Sequence, residues 1–468
     1  MRIILILVCA FSASNSAAEI YEYTVSLNDE LTRATVHARF PGGVNRVTAR
    51  HRGADAYLLD AADCESGKPL ATNGRSLRIQ GELSCLAYSV DLREANSTGW
   101  FAKPRTEFLI LPIDAWLWRP RLGGTDEITV TFEIGDGMAV SVPWEPVADT
   151  ASVFRVTASP QSGTGLSLFG RFQEETFRIA GADLRIAIVP TTSEDVTPDL
   201  IDWTRKTAEH VTLAYGRFPN PNPRVLLFPT TNRRSDAAIP FGRVVRDGGE
   251  TVELLVDPDP PEDRFVSDWT ATHEFAHLLL PYVKRDERWI SEGFAGYYQN
   301  VLLARAGRYS EQEAWQKLAA GLERGRDSAP SLSPNQAASR GEHGSRMKIY
   351  WSGAALFLMA DVELRRRSGG EVSLDTVLDR FQACCLPSGR AWTGQELFAT
   401  FDSLIDEPVF LDLYRQHANT AGFPSFRPLL DQLGARADSG QLTLNNDAEL
   451  ANIRAAITER RYTDLPDD

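Results

Sequence analysis

Long apolar runs are scarce in this 468-residue chain, and beyond residue 18 none approaches the twenty apolar positions that a membrane-crossing helix needs. A helical membrane protein is excluded on that ground, and a soluble product with no stable membrane anchor is expected. Basic residues are in deficit. With 49 Lys and Arg against 63 Asp and Glu the formal net charge is −14, a balance poorly suited to nucleic acid or anionic lipid as partner. Cysteine is rarer still, five in all, and none stands in Cys-x-x-Cys spacing, so a thiolate zinc site has no support. Internal repeats and low-complexity tracts are missing, which removes solenoids and disordered scaffolds from consideration.

What is present begins with a leader. Met1-Arg2, the apolar run from Ile3 to Phe11 and the small residues Ser16-Ala17-Ala18 predict a secretory signal cut after Ala18, and hence a periplasmic or secreted protein. Cys9 invites a lipoprotein reading, but Val8 before it is not the small residue such processing wants. Cys64 and Cys85 flank a hairpin-like stretch and would bridge in an oxidising compartment. Cys384 and Cys385 are adjacent, so a strained vicinal bridge and a pair of buried thiols both stay open.

The hydrophobic fraction, 43%, supplies cores for two or three domains. From residue 19 to about 182, short runs such as Ile20-Tyr21-Glu22-Tyr23-Thr24-Val25 alternate apolar and polar residues between Gly, Pro, Asn and Asp. Period two predicts antiparallel strands, and lone histidines there, His37 and His51, read as ordinary surface or core histidines. Strands at 184–189, 224–228 and 251–256, with a helix over 198–215, predict a small sheet. Helices are expected over 311–324, 350–367, 374–384 and 394–403, a loop over 327–346, and no clear pattern in the last fifty residues. The fold class is α+β: a β-rich domain over 19–182, a mixed strand and helix domain over 183–310 and a mainly α-helical region over 311–468.

The chemistry concentrates in His273-Glu274-Phe275-Ala276-His277, with fourteen residues between His277 and Glu292. On a helix of 3.6 residues per turn, positions i and i+4 share a face, so both imidazoles reach one zinc ion. Glu292 supplies the third ligand and leaves a fourth position open. Glu274, beside the metal without binding it, is placed as general base toward a zinc-activated water. The alternative for such a motif is a solvated amphipathic face, but the stretch 270–280 is too apolar to expose and would bury both histidines. Peptide hydrolysis also builds an anionic tetrahedral intermediate that needs a donor opposite the metal. Tyr350 in Met347-Lys348-Ile349-Tyr350-Trp351-Ser352-Gly353 is a candidate, or else a rim aromatic, and His343 is a second candidate. Tyr297 and Tyr298 read as packing residues of the Glu292 helix.

Trp289-Ile290-Ser291-Glu292-Gly293-Phe294-Ala295-Gly296-Tyr297-Tyr298 resembles the glutamate-bearing helix of the gluzincin aminopeptidases, and Tyr350-Trp351-Ser352-Gly353-Ala354 resembles their Tyr-x-Lys-Gly segment. Ser368-Gly369-Gly370-Glu371-Val372-Ser373-Leu374-Asp375 is similar to the glycyl aminopeptidase branch. The resemblance, over residues 184–401, implies a thermolysin-like catalytic domain behind an N-terminal β domain, one zinc per chain and Tyr350 as the transition-state donor. Three departures accompany it. The spacing between the second histidine and the glutamate is shorter than the family's, and Ser352 replaces the family's lysine. No acid stands at 239–243, where the family holds the substrate's free amine; Glu250 or Glu253 is left as a substitute. The PDZ module that such enzymes often carry is not expected. The reading is an exported zinc-dependent peptidase acting on peptide or protein substrates, with aminopeptidase action as the form the resemblance implies. A catalytically inactive zinc- or peptide-binding protein of the same fold is the alternative, and a β-rich adhesion protein leaves the metal motif unexplained.

Overall fold

A computed structural model describes residues 19–96, 107–123, 125–147, 150, 152–160, 164–190, 197–230, 237–257, 264–265, 268–341, 344–438 and 441–461. The leader, Cys9 and His343 lie outside them. The N-terminal alternation forms strands as expected: in Ile20–Leu27, Tyr21, Tyr23, Val25 and Leu27 turn inward and are buried. A seven-stranded sheet orders the strands Glu145–Pro146, Val153–Val156, Glu127–Glu133, Ile20–Leu27, Arg33–Val44, Leu83–Asp91 and Leu58–Asp63. It departs from the antiparallel expectation at one place. Ile20–Leu27 pairs in parallel with Glu127–Glu133, because these strands are remote in the chain and joined by a crossover instead of a hairpin. A three-stranded sheet packs on it, with Trp116, Phe132, Trp144 and Phe169 in ring contact between them. Both histidines assigned here to ordinary roles keep them: His37 is an exposed strand residue, and His51 Nδ1 accepts from the Gly53 amide at 3.2 Å.

The second sheet has five strands in the order Gln173–Ile179, Ala182–Ile188, Arg224–Pro229, Glu250–Val256 and Phe241–Arg246. The first of these, grouped by its alternation with the N-terminal strands, pairs antiparallel with Ala182–Ile188 and belongs to this sheet. The inner three strands run parallel and are mostly apolar on both faces, since both are covered, with Arg185, Arg224 and Glu253 among the buried charged exceptions. Ala187, Val189, Leu226 and Phe228 pack on the N-terminal domain, whereas Ile186, Val225, Leu227, Val252 and Leu254 face the helices. Phe241–Arg246 is the edge strand.

The helical half follows the sequence reading with two corrections. The stretch 327–346 is not all loop: Ser333 caps a helix, Pro334–Arg340, accepting from the Gln336 amide while Gln336 reaches back to Ser333. Ser333 is here an N-cap followed by Pro334 at the first helical position. The unpatterned tail holds two paired strands, Ala435–Asp438 and Gln441–Leu444, and a helix, Ala451–Thr458. Polar anchoring organises it. Arg454, 1% exposed, donates to the carbonyls of Leu433 and Asn445 and to Glu311. Disulfides join Cys64 to Cys85 and Cys384 to Cys385, which selects the vicinal bridge over buried thiols. Among the described residues no helix is long and apolar enough to cross a membrane.

Candidate metal centre

The motif helix, Thr270–Ala276, passes at His277 into a 3-10 turn ending at Leu279. Both ends are held. At the start, the buried Asp268 accepts from the amides of Ala271 (3.1 Å) and Ile239 (3.3 Å), and burial pushes its carboxyl up to about 6. At the finish, Arg246 from the edge strand donates to the carbonyls of His277 (2.8 Å) and Leu280 (3.0 Å) and pairs with Glu250 at 2.6 Å. A cation satisfying the last carbonyls complements the helix dipole.

The helix Trp289–Arg305 brings Glu292 to the two histidines in spite of the short connection. Glu292 Oε2 lies 3.4 Å from His273 Nε2 and 3.7 Å from His277 Nε2, and the three ligand atoms all fall within 4.8 Å of one another. Tetrahedral bonds near 2 Å place ligand atoms about 3.4 Å apart, so the set fits one zinc ion. The remaining ring nitrogens are engaged. His273 Nδ1 meets Gln299 Oε1 at 2.7 Å, and His277 Nδ1 meets Ser291 Oγ at 3.0 Å. An amide oxygen only accepts, so His273 donates from Nδ1 to Gln299, which would leave Nε2 to bind the metal once zinc takes the place of the proton it shares with Glu292. Burial holds His277 neutral, its value lowered to about 3. Glu292 is buried, which favours its neutral form, yet the His273 hydrogen bond and both histidines hold it down at about 2, the form a metal needs.

Glu274 points into the same space and is 8% exposed. Burial first, and the Glu292 charge second, push its carboxyl up to about 7, against the pull of His273. Gly242 of the edge strand passes directly over it, and a Cβ at 242 would overlap the Glu274 side chain. Tyr350 lies on the helix Arg346–Arg367, whose start precedes the expected one by a turn. Its ring stacks on His273 with centroids 5.9 Å apart, and its hydroxyl bonds Glu292. What lets this helix approach so closely is a pair of glycines. A Cβ on Gly293 would strike the Gly353 backbone, and one on Gly353 would strike the Trp289 carbonyl.

The other assignments divide. Tyr297 donates to Asp361 and Tyr298 to Asp375, each at 2.8 Å, so both are packing residues. Ser352, where the resemblance expects lysine, is fully buried, so a lysine there would need a partner for its charge. Neither substitute for the amine-binding acid is available. Glu250 has both oxygens engaged, by Arg246 and by Asn220 at 2.7 Å, and Glu253 pairs with Arg243 at 2.6 Å on the sheet face turned toward the N-terminal domain. Gln299, Ser291 and Gly242 were not singled out by the sequence. Gln299 alone left a signal, since it follows Glu292 by seven residues and therefore shares its helix face.

A family model for M61 glycyl aminopeptidase matches residues 279–352, a span that holds Glu292 and Tyr350 and begins just after His277. Solved structures resemble the chain over most of its length. An aminopeptidase N family protein from Idiomarina loihiensis superposes with a TM-score of 0.62 at 12% identity, covering 89% of this chain and 78% of that one. An M1 zinc metallopeptidase from Deinococcus radiodurans superposes with a TM-score of 0.52 at 14% identity, covering 87% and 94%. A mutant of that enzyme bound to a Tyr-Ser-Ala substrate gives 0.53 at 13%, over the same shares. A search of curated proteins finds no match. At such identities the structural likeness is one of fold, and the expected α+β layout and gluzincin resemblance hold.

Proposed function

We propose that this chain is a zinc metallopeptidase that binds one zinc ion through His273, His277 and Glu292 and hydrolyses peptide bonds. The observation that carries the reading is the convergence of two Nε2 atoms and one carboxylate oxygen, each imidazole oriented from behind, with Glu274 beside them and free of the ligand set. When bound, zinc supplies a Lewis acid that polarises water and the scissile carbonyl. Glu274 takes the proton of the attacking water and delivers it to the leaving amine. The Tyr350 hydroxyl, on the His273 side of the site, turns from Glu292 to the oxyanion as charge develops there. The strand Phe241–Arg246 stands at the sheet edge, with Gly242 against Glu274, where an extended peptide could run beside it.

Purified protein should hold about one zinc per chain and cleave peptides, and His273→Ala should abolish both. Glu274→Gln should retain zinc and lose most hydrolysis, since an amide cannot accept the proton. Zinc retention without cleavage in the unaltered protein would select the inactive binding protein instead. Aminopeptidase action is supported by the M61 match and the named relatives, and opposed by the engagement of Glu250 and Glu253. Paired peptides with free and acetylated N-termini decide it: equal cleavage rates would rule out a free-amine requirement. We further propose export, supported by the leader sequence and the two disulfides; retention of residues 1–18 in mature protein isolated from the host would refute it.

A further inference from the structure

We propose that a cleft on the N-terminal domain, lined by Arg46, Arg50, Arg119 and Arg121, binds acidic peptide segments at a site separate from the metal centre. Two extended segments build it. The Thr48 amide donates to the Arg119 carbonyl at 2.9 Å and the Arg119 amide to the Thr48 carbonyl at 3.0 Å, which locks 46–50 and 117–121 side by side in antiparallel register. Side chains alternate across such a ribbon. Val47, Ala49 and Trp118 turn into the core, none more than 1% exposed. The intervening residues therefore share the outer face, and the four arginines with Thr48 line a cavity of about 580 Å³.

The arginines are unequally satisfied. Arg50 pairs with Asp114 at 3.0 Å and Arg119 with Asp247 at 2.9 Å, whereas Arg46 and Arg121 make no ion pair among the described residues. In a chain of net charge −14, this places two uncompensated guanidinium groups in one concave surface whose other carboxylate is Glu82. Each guanidinium offers a planar fork that a carboxylate fills with two hydrogen bonds. Two such forks on a rigid ribbon suit separate carboxylates on an extended ligand. Asn45, Thr48 and Ser159 on the walls can bond a peptide backbone between them. The choice of peptide over another polyanion rests on the peptidase reading.

The test uses the zinc-loaded Glu274→Gln protein, which cannot turn over, titrated with a fluorescein-labelled hexaglutamate and followed by anisotropy. Binding is expected to weaken at least tenfold in Arg46→Ala/Arg121→Ala and to fall with added salt, while a hexalysine peptide stays unbound. Arg46→Lys/Arg121→Lys keeps the charge and removes the forks, so intermediate binding supports the bidentate geometry. Unchanged affinity in the alanine pair overturns the site, and displacement by millimolar inorganic phosphate as readily as by unlabelled hexaglutamate overturns the peptide assignment. Hydrolysis of an uncharged peptide by the unmutated enzyme, assayed in parallel, reports on the peptidase reading independently of all these outcomes.

Discussion

Replacing Gln299 with leucine should lower zinc affinity about tenfold to a hundredfold while leaving all three ligands in place. His273 Nδ1 and Gln299 Oε1 are 2.7 Å apart, and the two residues are only 3% and 9% exposed, so the pair is shielded from bulk solvent. Without the amide oxygen, the Nδ1 proton is buried and unpaired, at a cost of about 1–3 kcal/mol. The imidazole can escape that cost only by moving its proton to Nε2, which removes the lone pair from the metal. Since 1.4 kcal/mol is about a factor of ten, either route reaches the loss generally seen when a partner behind a metal-bound histidine is deleted. Competition with a chromophoric chelator at neutral pH measures it. Leucine fills most of the glutamine volume, so the thermal midpoint of the zinc-free protein should move little. Wild-type affinity in the leucine variant would refute the orienting role, and a loss of affinity matched by an equal loss of zinc-free stability would reassign Gln299 to packing.

Tyr350→Phe should cut kcat about a hundredfold to a thousandfold with little change in KM and full zinc content, because only the donating hydroxyl is lost; an unchanged kcat would return Tyr350 to the rim of the cleft. Gly293→Ala should destabilise the fold by about 1–3 kcal/mol, since the new methyl meets Gly353 backbone that cannot rotate away, and an unaltered urea midpoint would contradict the close crossing. His210, 8% exposed and bonded through Nδ1 to Thr272 at 3.0 Å, has its value lowered to about 4 by burial, with Arg308 adding to the effect. Its folded value lies below the ordinary 6.5, so the unfolded chain takes up the proton first and the neutral form stabilises the fold fully above pH 6.5. That contribution, about 3 kcal/mol, should disappear progressively as pH falls from 6.5 toward 4. His210→Gln should flatten this part of the pH profile of zinc-free protein, and an acid limb as steep as the wild type's would sink the assignment.

How much of this was legible in the sequence depended on the range of the interaction responsible. His273, His277 and Glu292 were readable because helix periodicity fixes the first two and a short connection delivers the third. The strands of the N-terminal domain were readable because burial alternates with the pleat. What failed to show was contact between segments distant in the chain. Gln299 lies within one helix of Glu292, yet its partner is across the helix interface, and no local pattern marks an amide aimed at an imidazole. Gly242 and Glu274 meet only because the edge strand is folded over the motif helix. The tail from 435 onward escaped because Arg454, a charged residue that composition assigns to the surface, is its buried anchor. The amine-site question shows the same limit from the other side. Glu250 and Glu253 were equivalent as letters three positions apart on one strand, and cross-strand pairing with Arg246 and Arg243 is what removes both from the metal site. Any group that receives a substrate's amine must therefore come from elsewhere in the cleft wall, and the acetylated-peptide comparison asks whether the reaction needs one at all.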